Sequence, residues 1–85
     1  AATWAEEKCA RYAAAWAALE ARRGTGDLGA AFVARHEAFI ASGCAARADI
    51  CPQGDAEYEV ANAMIVAAMN AGAASTFPPF ACPRR

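Results

Sequence analysis

Apolar residues recur every three or four positions along most of this chain, which is the spacing of amphipathic helices rather than strands. The first apolar stripe consists of Cys9, Tyr12, Trp16 and Leu19. Thr3 and Glu6 stand at the spacing of a capping box, in which the two side chains satisfy free amides at the start of a helix. Gly24 is a good helix terminator. The pattern predicts a first helix over residues 4–23.

A short turn containing two glycines separates the first helix from a second apolar stripe. That stripe consists of Leu28, Phe32, His36, Phe39, Ile40 and Gly43. Asp27 precedes it and is a plausible N-cap, because its carboxylate can accept from free amides of the first turn. We expect a second helix over residues 28–42. So short a connection predicts that the first two helices form an antiparallel hairpin.

A third helical segment follows an irregular stretch that is closed by Pro52 and Gly54. Asp55 is its expected N-cap, and we predict the helix over residues 55–70. The stripe expected to face the core consists of Tyr58, Ala61, Ile65, Ala68 and Gly72, with Met64 and Met69 at its flanks. With one residue in three or so being alanine, a good helix former, the composition also favours an all-α fold.

The C-terminal residues 73–85 cannot continue the third helix, because Pro78 and Pro79 lack amide donors and favour extended backbone. We expect this tail to lie back across the helices, with Phe77 and Phe80 as anchors. The predicted fold is a small three-helix bundle with an extended, proline-containing tail. The 85 residues leave room for one domain, over residues 1–85, whose helices run up, down and up.

Four cysteines in so short a chain indicate a fold reinforced by two disulfides, as in small exported domains. The up-down-up arrangement would bring all four sulfur atoms to one end of the bundle. Three pairings are possible. We favour Cys9–Cys44 with Cys51–Cys82, because the first pair is about equidistant from the turn between the first two helices; Cys9–Cys82 with Cys44–Cys51 is the main alternative. The location expected from the disulfides is secreted or periplasmic.

Charge and hydropathy exclude some classes of partner. The formal net charge is −1, with acids and bases interspersed, whereas nucleic acids and anionic membranes require a basic face. The most apolar window, residues 61–74, contains Asn62 and Asn70 and is shorter than the roughly 20 apolar residues of a membrane span. We therefore expect neither nucleic-acid binding nor membrane insertion.

No residue pattern predicts a metal or a cofactor. The cysteines lack the paired spacing of zinc ligands. His36, the only histidine, is interpreted as a core-edge residue bonded to a backbone carbonyl, Tyr12 or Tyr58. An axial haem ligand with Met64 or Met69 opposite is the sharper alternative, but no Cys-x-x-Cys-His attachment motif is present.

The residues for catalysis are also missing, since the chain contains no nucleophile elbow and no phosphate loop. We therefore expect a non-enzymatic module that binds another protein, as an accessory subunit or inhibitor. The candidate binding residues are the aromatic and proline positions Trp4, Phe77, Pro78, Pro79 and Phe80. The alternative is a carrier of a small apolar ligand or lipid between the helices, lined by Met64, Met69, Phe32 and Phe39.

The first prediction concerns the thiols. The mature protein should contain no free thiol, so alkylation without reduction should leave its mass unchanged and alkylation after reduction should add four groups. Intact-mass spectrometry makes the measurement. Two or more thiols that react before reduction would contradict the disulfide framework.

Overall fold

The computed structural model describes residues 3–46, 49–74 and 77–82. Over these ranges the chain is all-α, and its only strand-like feature is a single pair of bridging residues. The three helices are α1 (Trp4–Arg23), α2 (Ala30–Ala41) and α3 (Gly54–Asn70). Two disulfides, Cys9–Cys44 and Cys51–Cys82, join them to each other and to the tail. This is the predicted fold class and the favoured pairing.

The first helix has the predicted ends and the predicted buried face. The Glu6 amide donates to Thr3 Oγ1 and the Thr3 amide donates to Glu6 Oε1, both at 3.1 Å. The bond from the Thr3 amide, and after it the Thr3 side chain, hold the pKa of the Glu6 carboxyl below its ordinary value, since hydrogen bonds to the carboxylate favour the charged form. Gly24 ends the helix, and its amide donates to the carbonyl of Glu20 at 2.8 Å. The sequence alone predicted the ends of this helix because the capping residues and the apolar stripe indicate the same segment.

The second helix begins two residues later than predicted, and Asp27 is not its N-cap. The Arg23 guanidinium instead donates two hydrogen bonds, of 3.1 and 2.7 Å, to the Asp27 carboxylate. These bonds lower the pKa of Asp27. The N-cap is Gly29, which has no side chain to accept a bond. Leu28 precedes the helix and packs into the core.

A single carboxylate, that of Glu57, serves the N-termini of both α2 and α3. Its Oε2 accepts from the Gly29 amide at 2.8 Å and its Oε1 from the Gln53 amide at 2.9 Å. Asp55, the predicted cap of the third helix, lies in the first turn instead. A Cβ atom at position 29 would lie 2.8 Å from Glu57 Oε2, so a larger residue there would displace the carboxylate from the Gly29 amide.

Helix α3 runs opposite to α1. Arg23 at the end of α1 lies 3.6 Å from the carboxylate of Glu59 near the start of α3. At the other end of the molecule, Arg11 Nη1 donates to the carbonyl of Ala71, just after α3, at 3.1 Å. The predicted up-down-up order, which makes these two helices parallel, is therefore wrong.

Helix α2 also runs opposite to α1, as the hairpin prediction requires, because Cys44 beyond its end is bonded to Cys9 in the first half of α1. Helices α2 and α3 consequently point in the same direction. Residues 42–53, whose described parts are irregular, must then carry the chain back along the length of the molecule. A short turn could not make this connection, which explains why the linking segment is long.

The second disulfide lies at the opposite end from the first, so the predicted convergence of all four sulfur atoms is also wrong. Cys51 and Cys82 border the same groove as Gly29 at the start of α2. Beside them Ile50 and Phe80 pair as a parallel bridge. The Ile50 amide donates to the Pro79 carbonyl at 3.0 Å, and the Ala81 amide donates to the Ile50 carbonyl at 2.9 Å.

The described part of the tail, residues 77–82, packs between α2 and α3. The Phe80 ring stacks on Phe32 of α2, with 5.7 Å between centroids. Pro78 and Pro79 are buried, and Phe77 and Phe80 are half-buried against the core. The rest of the predicted tail is described at residues 73 and 74, whereas residues 75–76 and 83–85 lie outside the described ranges.

The buried face of α3 differs from the predicted one. The residues of α3 that are buried are Glu57, Val60, Ala61, Met64 and Ala68. Tyr58, expected in the core, is 50% exposed, whereas Met64, expected at a flank, is wholly enclosed. The periodicity could not choose correctly because α3 carries apolar residues on nearly every side.

The burial of the two tryptophans gives the second prediction. Trp16 is 4% exposed in the core and Trp4 is 51% exposed. We expect Trp16→Ala to lower the free energy of unfolding by about 3–5 kcal/mol, because the cavity adds to the lost apolar burial. Trp4→Ala should cost less than about 1 kcal/mol. Urea denaturation with the disulfides intact measures both, and a larger loss for Trp4→Ala would contradict the packing described here.

Candidate functional site

A buried aromatic cluster surrounds His36 at the centre of the fold. The hydroxyl of Tyr12 lies 2.5 Å from His36 Nε2, which confirms the predicted hydrogen bond to a tyrosine. The rings of Trp16 and Phe80 lie 4.5 and 5.4 Å from the imidazole, centroid to centroid. Burial lowers the pKa of His36 to about 4 and raises the pKa of Tyr12 well above its ordinary value, because the charged forms would lose their hydration.

Two nitrogen atoms of this cluster have no hydrogen-bond partner within the described ranges, namely His36 Nδ1 and Trp16 Nε1. Leaving a buried polar group unpaired costs about 1–3 kcal/mol. Neither the imidazole nor the Tyr12 hydroxyl is open to solvent, so the cluster offers no place for a substrate. The haem alternative is also poorly supported, since Tyr12 occupies Nε2 and Met69 is half-exposed on α3. We assign the cluster to the packing of the core.

Neither thiol chemistry nor metal binding is indicated by the described residues. All four cysteines are in disulfides. Between residues 3 and 82, leaving aside positions 47–48 and 75–76, no group of three or more histidine, cysteine, aspartate or glutamate residues is placed to hold a metal ion.

The grooves of the molecule are open rather than enclosed. One of them, of about 690 Å³, lies between the start of α2, residues 49–53 and Cys82, and Phe32 borders it. Phe39 borders a separate groove of about 200 Å³. Met64 is wholly buried and Met69 half-exposed. The four residues predicted to line a ligand cavity therefore do not line one shared space.

The outer side of α3 carries an uncharged apolar surface, which we call the α3 face. It consists of Tyr58, Asn62, Ile65, Val66 and Met69, spaced by three and four residues along the helix. Three of the four large apolar residues that are exposed in the described ranges belong to it, namely Tyr58, Val66 and Met69, each about half exposed. No charged residue occurs in the sequence between Glu59 and Arg84.

A shallow groove adjoins the α3 face on the side of the tail. Its volume is about 190 Å³. The groove is lined by Pro52, Tyr58, Ala61, Asn62, Ile65, Phe80, Ala81 and Cys82. None of these residues is charged, so the groove extends the apolar surface beyond the helix itself. It is large enough to receive an apolar side chain from another molecule.

Trp4, the fourth exposed apolar residue, lies at the C-terminal end of the α3 face. A Cβ atom at Gly72 would lie 3.2 Å from the indole, and Gly72 has a φ of +91°, so both space and backbone favour glycine there. The Lys8 ammonium and the Arg11 guanidinium lie 5.8 and 5.1 Å from the Trp4 ring centroid. Cation–π attraction thus places two positive charges at this end.

Of the five residues predicted from sequence to bind a partner, the structure leaves mainly Trp4 on the surface. Pro78 and Pro79 are interior, and Phe77 and Phe80 are half-buried against the core. Their packing into the gap between α2 and α3 accounts for their apolar character. A partner-binding role for these four remains an untested prediction, with little accessible surface to serve it.

Sequence reasoning missed the α3 face because it assigned Tyr58 and Ile65 to the core. A signal was nevertheless present. The exposed side of α1 carries charged residues in its first and last turns, whereas α3 carries none after Glu59. An amphipathic helix packed on one side should have a charged opposite side, so a helix without one indicates a second contact surface.

No family model, characterised protein or solved structure matches the chain. Among the described helices, none combines the length and the hydropathy needed to cross a membrane. The molecule is a small disulfide-bonded helical protein.

The His36 cluster gives the third prediction. The folded state keeps His36 neutral down to about pH 4, whereas the unfolded chain binds a proton near pH 6.5. Stability is therefore fully present above pH 6.5 and falls as the pH is lowered towards 4. Between pH 7.5 and 5.0 we expect a loss of about 2 kcal/mol from this group.

Urea denaturation at the two pH values measures the loss, with His36→Gln as the control. The variant should be less stable at pH 7.5, because it disturbs the bond to Tyr12, but it should lose much less of its remaining stability at pH 5.0. An equal pH dependence in both proteins would show that other groups cause the effect.

Proposed function

We propose that this chain is a non-enzymatic, exported helical module that acts by binding another protein through the α3 face and Trp4, as an accessory subunit or an inhibitor does. The observation that carries the proposal is the uncharged outer side of α3, where Tyr58, Val66 and Met69 are each about half exposed. Contiguous apolar surface of this kind is uncommon on proteins that act alone, and it marks interaction sites.

The chemistry of the surface suits a protein partner. Tyrosine, tryptophan and methionine are enriched at the centres of interfaces, where charged residues are depleted. A helix fixed by two disulfides loses little conformational entropy when it binds, so more of the apolar burial contributes to affinity. The charged side chains near the ends of the face, Lys8 and Glu59, would form the polar rim.

The disulfides support an oxidising compartment, and the proposed location is secreted or periplasmic. The cross-links close chain segments of 35 and 31 residues in sequence separation. Each would stabilise the fold by about 3–4 kcal/mol through loss of chain entropy in the unfolded state. A domain of this size depends on such a contribution, because its core is small.

The alternative function, a carrier of a small apolar ligand, has less support. The groove of about 690 Å³ beside the start of α2 is open and has Arg35 and Asp49 on its border. Met64, predicted to line a cavity, is wholly buried in the core instead. The groove beside the α3 face, of about 190 Å³, is open and shallow, which suits the side chain of a protein better than a lipid chain.

The fourth prediction tests the surface directly. A photo-crosslinking amino acid at position 66 should form an adduct with a protein in the native exported fraction, because Val66 lies within the α3 face. The same group at position 17, on the exposed side of α1, is the matched control and should form none. Mass spectrometry of the adducts identifies the partner.

A second variant makes the test specific. Met69→Lys should reduce the adduct yield at position 66 by about tenfold, since it introduces a charge into the apolar contact. Adduct yields at position 66 no higher than at position 17 would overturn the proposal. The far-UV circular dichroism spectrum of each variant should match that of the parent protein, because the altered side chains are exposed.

A further inference from the structure

We infer that the protein bound to the α3 face is a second copy of this chain, packed with its α3 antiparallel to the first about a twofold axis. This inference rests on the proposed function and names the partner of the same surface. It is carried by the distribution of charge at the two ends of the α3 face, which is complementary to itself when one copy is reversed.

The N-terminal end of the α3 face is acidic. Asp55 lies in the first turn of α3 and Glu59 one turn later, and both side chains are exposed. Glu59 lies 3.6 Å from Arg23 of the same chain, so Asp55 is the acid that this end offers to a partner. Asp55 falls on the same side of the helix as Asn62 and Val66, since the spacing is seven and eleven residues. Beyond Glu59 the sequence of α3 contains no charge.

The cation that the C-terminal end of the α3 face offers is Lys8 of α1, because the charge of Arg11 is offset by its ion pair with Glu7. Arg11 of α1 donates to the carbonyl of Ala71, and its guanidinium lies against the ring of Trp4. Lys8 lies within 6 Å of the ring centroids of both Trp4 and Phe77. The antiparallel packing of α1 on α3 places these cations where α3 ends.

An antiparallel pair of α3 helices centred midway between Tyr58 and Met69 joins unlike ends. Tyr58 of one copy would then lie opposite Met69 of the other, an aromatic–thioether contact. Asp55 would lie opposite the turn at Gly72, where Trp4 and the two cations are placed. A parallel pair would instead bring acid to acid and base to base, so the charges select one direction.

A second copy fits these features better than an unlike protein. A twofold interface uses the same surface on both chains, and therefore requires a surface that is complementary to itself. Two copies repel each other little, because each has a formal net charge of −1. The groove beside Tyr58 and Asn62 is placed to receive Met69 of the reversed copy, since the apolar side chains of the face alternate along the helix.

One helix face and a tryptophan make a small interface, so we expect a dissociation constant on the order of 10–100 µM. Sedimentation velocity from about 1 µM to 1 mM of the oxidised protein should show a monomer–dimer equilibrium in that range. Val66→Lys should weaken it by about tenfold or more, and Ala17→Lys on the exposed side of α1 should not. A monomer throughout this range overturns the inference.

The fifth prediction tests the direction of packing by exchanging charges. Asp55→Lys alone brings cations together at both ends of the dimer, and Lys8→Glu alone brings carboxylates together. Each variant should dimerise about tenfold more weakly than the parent protein. Mixed in equal amounts they should form a heterodimer of near-parental affinity, because both contacts then join opposite charges.

The mixture can be followed by native mass spectrometry, since the two variants differ in mass. Failure of the mixture to recover affinity, with both variants folded by circular dichroism, overturns the antiparallel arrangement. The photo-crosslinking at position 66 separates this failure from that of the proposed function. If the chain is monomeric and forms an adduct with a different protein, the protein-binding function stands and the second copy is rejected. If no adduct forms, both are rejected.

Discussion

The hydrogen bonds of one buried carboxylate determine how the helices are arranged. Glu57 accepts from the amide of Gly29 and from that of Gln53, and so lies between the positive ends of two helices that point in the same direction. Two parallel helix dipoles repel when their N-termini are close, and a negative group between them offsets that repulsion. Glycine at position 29 leaves room for the carboxylate to approach the amide this closely.

The parallel direction of α2 and α3 has consequences for the rest of the chain. Residues 42–53 must return along the molecule, and the space between the two helices must be filled. The tail fills this space: Phe80 stacks on Phe32 and lies tilted against His36. A backbone bridge to Ile50 and the Cys51–Cys82 disulfide hold the tail there. The prolines that prevent a fourth helix are therefore part of the interior of the fold.

Because the tail fills the space between α2 and α3, several apolar residues of α3 remain outside the core. One side of the helix packs on α1 and encloses Met64, while the other side presents Tyr58, Val66 and Met69 to solvent. Disulfides tie the fold at both ends, and these exposed residues lie outside its buried core. The structure thus separates a rigid, cross-linked core from an uncharged surface, and the proposed protein binding makes use of that surface.

Local signals in the sequence determined the helices, because caps, stripes and helix breakers act within a few residues: α1 has its predicted bounds through the Thr3–Glu6 capping box and Gly24. The hairpin of the first two helices favoured the disulfide pairing that is present, although the sequence left the alternative pairing open. The direction of α3, its buried side and the surface it leaves exposed were decided only by tertiary structure. A helix that is apolar nearly all round has no preferred inner side until a distant group, here the carboxylate of Glu57 on the amide of Gly29, fixes its orientation.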